Sequence, residues 1–366
     1  MRSIGISAVI LVCGALLTCS AVYSESEPAP TPPPAPTKDE VLRKNIQRGL
    51  DYLANIQNKT TGMIGEREKL ATTSLAGMAF LSGGNLPGRG LYGKNVELAV
   101  RFIVDACFAP TGYLQYETSN MYSHGFAAMF LAETFGSIPP YMKLQPKVMK
   151  VLKKAIELIQ KCQSPEGGWW YNPQKNNSGQ GADISVTVCE TNALRAARNC
   201  GVAVDKRVIE KAIQCVKNGQ DKASGGFNYR VYIDRPPQGG PMVPRSAGAV
   251  CVLQALGAYD DPATAQGLKY LVDKTKNGYD DVSWWFYATY YLSQAMFVAG
   301  ETYWAEWWPK VRQSLLSKQQ QSNGSWNGEG GIGYGTAVAL IVLQMPYRYL
   351  PLYQEGIEKA PPEPKG

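Results

Sequence analysis

The sequence predicts an all-helical α/α toroid, six helical hairpins arranged as an inner and an outer ring. Three observations predict it. A helix-stopping glycine cluster followed by an aromatic or apolar residue recurs roughly every 40 to 60 residues, a period that marks stacked two-helix units. Helices with a charged face alternate with helices that are apolar nearly all round, so one set faces solvent and the other is enclosed. Finally, one helical hairpin cannot bury its own apolar face and must stack on neighbours, which makes 366 residues one array and not two domains.

Taken in order, the charged-faced helices are expected near 39–57, 95–108, 147–162, 206–217, 262–274 and 305–320. Between them the apolar, small-residue helices are expected at 72–81, 123–135, 184–198, 246–259, 286–299 and 336–345. Each charged helix runs into a turn. Gln57 leads to Gly62, Cys107 to Gly112, Gln163 to Gly168 and Trp169, and Gln220 to Gly226 and Phe227. Lys276 leads to a weaker turn ending at Trp284 and Trp285, and Gln321 leads to Gly324 and Trp326. The glycines permit positive φ, and the aromatic plugs the turn.

The N-terminal region reads differently. Arg2 precedes an apolar run over 4–17 with small residues after it, the pattern of an export signal over 1–24. Cleavage before Cys19 is the alternative, with Leu16 and Leu17 for it and Thr18 against it; it would give lipid anchorage to a membrane through the N-terminus. A Pro-rich linker follows over 25–38, the toroid over 39–355 and a disordered tail over 356–366. An exported chain is therefore expected, in the periplasm, at the envelope or secreted. Six cysteines remain after the signal: Cys107, Cys162, Cys189, Cys200, Cys215 and Cys251. They lie in apolar helical runs and are expected to be mostly buried thiols, with Cys107 and Cys162 the pair to test for a disulfide. Net charge of +7 from 37 basic and 30 acidic residues is mild and scattered, which argues against a nucleic-acid interface.

The strings QSPEGGW at 163–169 and QSNGSW at 321–326 resemble the QW motifs of the squalene cyclase and protein prenyltransferase β-subunit superfamily, over roughly residues 39 to 354. The resemblance implies the toroid, with Gln, Gly and Trp bracing the ring. It does not bring the chemistry. There is no DxDD acid string and no Gly-Cys-Gly-Glu-Gln thioester; an Asp-x-Cys does occur, Asp105-Ala106-Cys107, ahead of His124, the single histidine. No cofactor or metal is expected.

Aligning the inner helices on their apolar core sets Ser74, His124, Thr187, Ser246, Thr289 and Thr336 in one column, expected to ring one mouth of a central cavity. Tyr122, Tyr287 and Tyr334 stand two residues before three of them. His124 is the general acid/base candidate, because it alone of that set titrates near neutrality. Glu190 lies one turn beyond Thr187 in an apolar helix, so it needs a partner such as Arg195 or Arg245, or a raised pKa. Asp183 is an N-cap on the same rim. A His124, Cys189 and Cys251 zinc set is chemically competent but is split by the alignment. These residues support, first, a toroid that binds an apolar small molecule or a protein partner. The alternatives are a terpenoid or prenyl-chain cyclase or transferase without the familiar motifs, and a carbohydrate-active enzyme.

Overall fold

The computed structural model describes residues 39–175 and 179–350. The expected signal, Pro-rich linker and tail lie outside them. Twelve α-helices follow in the order expected. The outer ones are α1 (Glu40–Ile56), α3 (Gly93–Phe102, continued by a π turn Ile103–Cys107), α5 (Gln145–Cys162), α7 (Lys206–Asn218), α9 (Pro262–Thr275) and α11 (Glu301–Lys318). The inner ones are α2 (Lys69–Ser82), α4 (Met121–Phe135), α6 (Ile184–Asn199), α8 (Val243–Ala255), α10 (Trp285–Val298) and α12 (Ile332–Gln344). Consecutive inner helices pack side by side, and α12 returns to α2, which closes the toroid.

Inner helices are enclosed because almost every side chain is apolar or small: all but Lys69 of α2 is buried. Close approach needs glycine at the contacts. A Cβ on Gly125 of α4 would meet the α6 backbone at Cys189, 2.9 Å away. Five of the six inner helices begin earlier than expected, α2, α8 and α12 by three or four residues. Thr336 stands a full turn inside α12, which starts after Gly331 at φ 102°, and Ser246 stands inside α8. The latter ends at Ala255, ahead of Gly257 at φ 88°.

Each outer-to-inner turn is braced in one recurring way. A positive-φ glycine, Gly62, Gly112, Gly167, Gly225 or Gly324, lies so tightly on the next outer helix that any side chain would collide with it. Two residues later a backbone N–H is donated to an inner-helix side chain: Ile64 to Thr73, Leu114 to His124, Trp169 to Thr187, Phe227 to Ser246 and Trp326 to Thr336. Gln163 donates to Gly167 O and Val208 O, each at 2.8 Å, tying its turn to α7. Gln57 and Gln220 do the same for α3 and α9.

In the last repeat this role belongs to Gln319, not to Gln321. Gln319 is buried and donates to Gly324 O at 2.8 Å and to Asn45 O of α1 at 2.9 Å, while Gln321 lies on the surface. Gln319→Leu is expected to leave the buried Gly324 carbonyl unpaired, to untie the turn from Asn45 of α1 and to cost about 1–3 kcal/mol in urea denaturation. Gln321→Leu is expected to stay within about 0.5 kcal/mol of the wild type; equal losses would return the role to Gln321.

The six cysteines are free thiols, five of them buried, so Cys107 and Cys162 form no disulfide.

Candidate active site

A cavity of about 630 Å³ opens at the end of the ring where the inner helices begin. The ring of residues around it is not the expected column but the one two positions earlier: Ala71, Tyr122, Ser185, Pro244, Tyr287 and Tyr334. Each precedes by two the residue that accepts, or stands where it would accept, the turn N–H. That side chain must point outward between the rings, and so the position two before it points inward. Thr187, Ser246 and Thr336 are therefore fully buried braces, and the equivalent in the first repeat is Thr73, not Ser74, whose hydroxyl returns to Leu70 O.

His124 is likewise buried behind the wall. Its Nδ1 accepts from Leu114 N at 3.0 Å and its Nε2 lies 3.3 Å from Ala155 O. Burial pushes its pKa down to about 4, so the imidazole is neutral. Of the other expected residues, Tyr122, Tyr287, Tyr334 and Arg245 do line the cavity. Arg245 spends its guanidinium on Gly239 O and Gly240 O and lies over the Tyr229 ring at 5.0 Å; it does not pair with Glu190. Glu190 is fully buried between the rings, on the side of Tyr113 and Cys162, and neither carboxyl oxygen has a hydrogen-bond partner. Cys189 and Cys251 both turn to Tyr291, at 3.4 Å to its hydroxyl and 3.2 Å to its carbonyl, and among the described residues no three His, Cys, Asp or Glu groups converge as a metal site.

Two lining residues, Tyr171 and Tyr229, went unmarked in the sequence. They sit on the connections 163–183 and 219–242, of 21 and 24 residues, whereas the other four outer-to-inner connections have 9 to 13. Those two loops pair as a short antiparallel ribbon, β1 (Ala182–Asp183) with β2 (Arg230–Val231), over the start of α6. Loop length was the available signal, since long connections concentrate function.

The ribbon places Asp183 at the back wall. Its Oδ1 caps α6, accepting from Ser185 N at 2.7 Å and Val186 N at 3.3 Å, as expected of an N-cap. Its buried Oδ2 faces the hydroxyls of Tyr171 and Tyr229, which are hydrogen-bonded to each other and reach the cavity. Burial raises the Asp183 pKa, and the two phenols and two backbone N–H groups partly offset that. Burial and the nearby carboxylate also raise the Tyr229 pKa. The arrangement sets one buried carboxyl behind two phenol hydroxyls at the edge of an aromatic cavity.

At the mouth stand two carboxylates and an exposed tryptophan. Glu329 caps α10, with Oε1 accepting from Tyr287 N at 2.8 Å, and Glu68 accepts from Ser123 Oγ at 3.3 Å. Glu68 and Trp284, the residues before α2 and α10, both have left-handed backbones, φ 43° and 54°. A non-glycine residue there costs about 1–2 kcal/mol, and such conformations gather at functional sites.

The Squalene-hopene cyclase C-terminal domain family matches residues 141–297, the span of α5 to α10. No curated protein sequence matches the chain. Among solved structures, the GH76A α-1,6-mannanase of Salegentibacter sp. HEL1_6 superposes with a TM-score of 0.59 at 10% identity, over 84% of this chain and 99% of that one. Type II terpene cyclase MstE from Scytonema superposes with a TM-score of 0.56 at 16% identity, over 86% and 100%. A protein from Actinoplanes gives 0.54 at 16%, over 84% and 99%. The α/α toroid is thus shared with terpene cyclases and with mannanases.

Proposed function

We propose that the chain is an enzyme that takes an isoprenoid chain into the aromatic cavity and isomerises it by proton transfer, not a non-catalytic scaffold. The carrying observation is the pairing of seven lining aromatics with one buried carboxyl, Asp183, whose pKa burial raises, behind two phenols. Asp183 gives its proton to Tyr229 or Tyr171 as that phenol gives its own to an alkene carbon. A C–H bond forms, the π bond is lost, and the neighbouring carbon becomes a carbocation. The ring faces of Tyr122, Phe126, Tyr287 and Tyr334 stabilise that cation. Ring closure by a second alkene moves the charge, and loss of a proton through the same phenols restores Asp183. Atoms balance as an isomerisation. A cavity of about 630 Å³ suits a small molecule.

A second reading rests on Glu68 and Glu329 beside Trp284 at the mouth, a carboxylate and aromatic set that suits a sugar. One titration separates the two. Geranylgeraniol, as the probe, is expected to bind and to yield a cyclised isomer, and Asp183→Asn is expected to slow that conversion about 10²–10⁴-fold while leaving Kd within about threefold. Binding of α-1,6-mannotriose with none of geranylgeraniol would overturn the isoprenoid reading, and full activity of Asp183→Asn would remove the carboxyl from it.

A further inference from the structure

The fifth outer-to-inner turn alone among the six lacks all three parts of the brace, the glutamine, the wedged glycine and the donated N–H. Lys276 follows α9 directly, as Gln57, Gln163 and Gln319 follow their outer helices, but it stands only two residues before Gly278 and carries no amide to tie the turn to α11. Gly278 keeps a positive φ of 119°, yet a Cβ built on it would meet nothing within 4 Å, whereas the five equivalent glycines are wedged against the next outer helix. Thr289 is fully buried in the brace column but receives no backbone N–H; the Tyr279 hydroxyl lies beside it without forming a hydrogen bond. The second repeat also lacks the glutamine, but it retains both the wedged Gly112 and the N–H to His124.

What remains is an anchor at one end and a free tip. Tyr279 is buried and stacks on Trp285 with ring centroids 5.5 Å apart. Beyond it, Asp280 meets Lys318 at 3.1 Å in a half-exposed pair, the kind that solvent and salt weaken. Asp281 and Ser283 are exposed, and Trp284 is 66% exposed at the cavity mouth with its left-handed backbone. A large apolar side chain left in water above an aromatic cavity gains by covering it. The tip has two positions at which its backbone can turn, Gly278 and Trp284.

The geometry points to residues 280–284 as a lid, with Trp284 the residue that closes over a bound molecule. Closure shields the cavity from water, which a carbocation intermediate requires, and Trp284 then decides how long a chain fits beneath it. The lid presupposes that the cavity is a ligand site, but not that its ligand is an isoprenoid.

Two ligand-free measurements decide it. Hydrogen exchange at the amides of Asp281, Ser283 and Trp284 is expected to be about tenfold faster or more than at the hydrogen-bonded amides of Gly324, Ser325 and Trp326. Equal protection would overturn the lid. A reporter thiol placed on the cavity wall by Ser185→Cys is expected to react with N-ethylmaleimide, and adding Trp284→Ala is expected to speed that reaction about tenfold, because the indole covers the mouth part of the time. An unchanged rate would also overturn it. With geranylgeraniol as the probe, the 281–284 amides are expected to slow. Binding without slowing refutes closure and leaves the site intact, whereas failure of the probe to bind refutes the isoprenoid reading, and the two ligand-free results still decide the lid.

Discussion

Trp326→Ala is expected to cost about 3–5 kcal/mol in urea denaturation, the range for removing a large buried aromatic side chain. Its side chain is fully buried, and its indole N–H donates to Leu315 O at 2.7 Å, so truncation leaves both a void and an unpaired carbonyl. The position also closes the ring. Gly49 of α1 packs on the indole, Gly324 lies on the backbone of Arg48, and Gln319 donates to Asn45, so the last turn seats the first outer helix. Trp284→Ala serves as the contrast: the same side chain, 66% exposed, is expected to change stability by no more than about 0.5 kcal/mol. A loss below about 1.5 kcal/mol for Trp326→Ala would mean that the plug does not hold the ring closed.

Helix number, order and alternation were legible because they rest on apolar periodicity, which tertiary contacts reinforce. The cavity was half legible. Tyr122, Tyr287 and Tyr334 were named, but they were attached to the neighbouring column, His124 included, because a polar residue in an apolar helix reads equally well as facing a cavity or facing a turn. Only the position of the turn N–H decides between these. Gln321 was preferred to Gln319 because three glutamines run together at 319–321. The spacing was available to correct it: Gln57 and Gln220 each stand five before their glycine, and five before Gly324 is Gln319. Tyr171 and Tyr229 carry no periodic signal at all. They reach Asp183 only through the pairing of two loops some fifty residues apart, Ala182 with Val231 and Asp183 with Arg230. Pairing of two-residue strands has almost no sequence signature.

Glu190 gives the protein a pH dependence of definite sign. Burial holds its carboxyl well above the ordinary value of 4.5, with no cation or donor to counter that, so the folded chain keeps a proton that the unfolded chain releases near 4.5. Above that pH the folded state binds more protons, and stability falls as pH rises, by up to about 1.4 kcal/mol per unit, until the folded pKa is passed. His124 works the other way. Its pKa falls from 6.5 to about 4 on folding, so stability rises with pH across that interval and masks part of the Glu190 effect. Asp183, raised like Glu190, adds to the decline. The difference between Glu190→Gln and the wild type isolates one carboxyl, since His124 and Asp183 are common to both. Measured by urea denaturation between about pH 5 and about pH 8, the variant is expected to gain on the wild type steadily as pH rises. A gap that stays constant with pH would mean that Glu190 is ionised in the folded protein and has a partner there. A gap that widens means that the ring encloses a neutral acid, which the Cys162 and Tyr113 side of α6 shields from water.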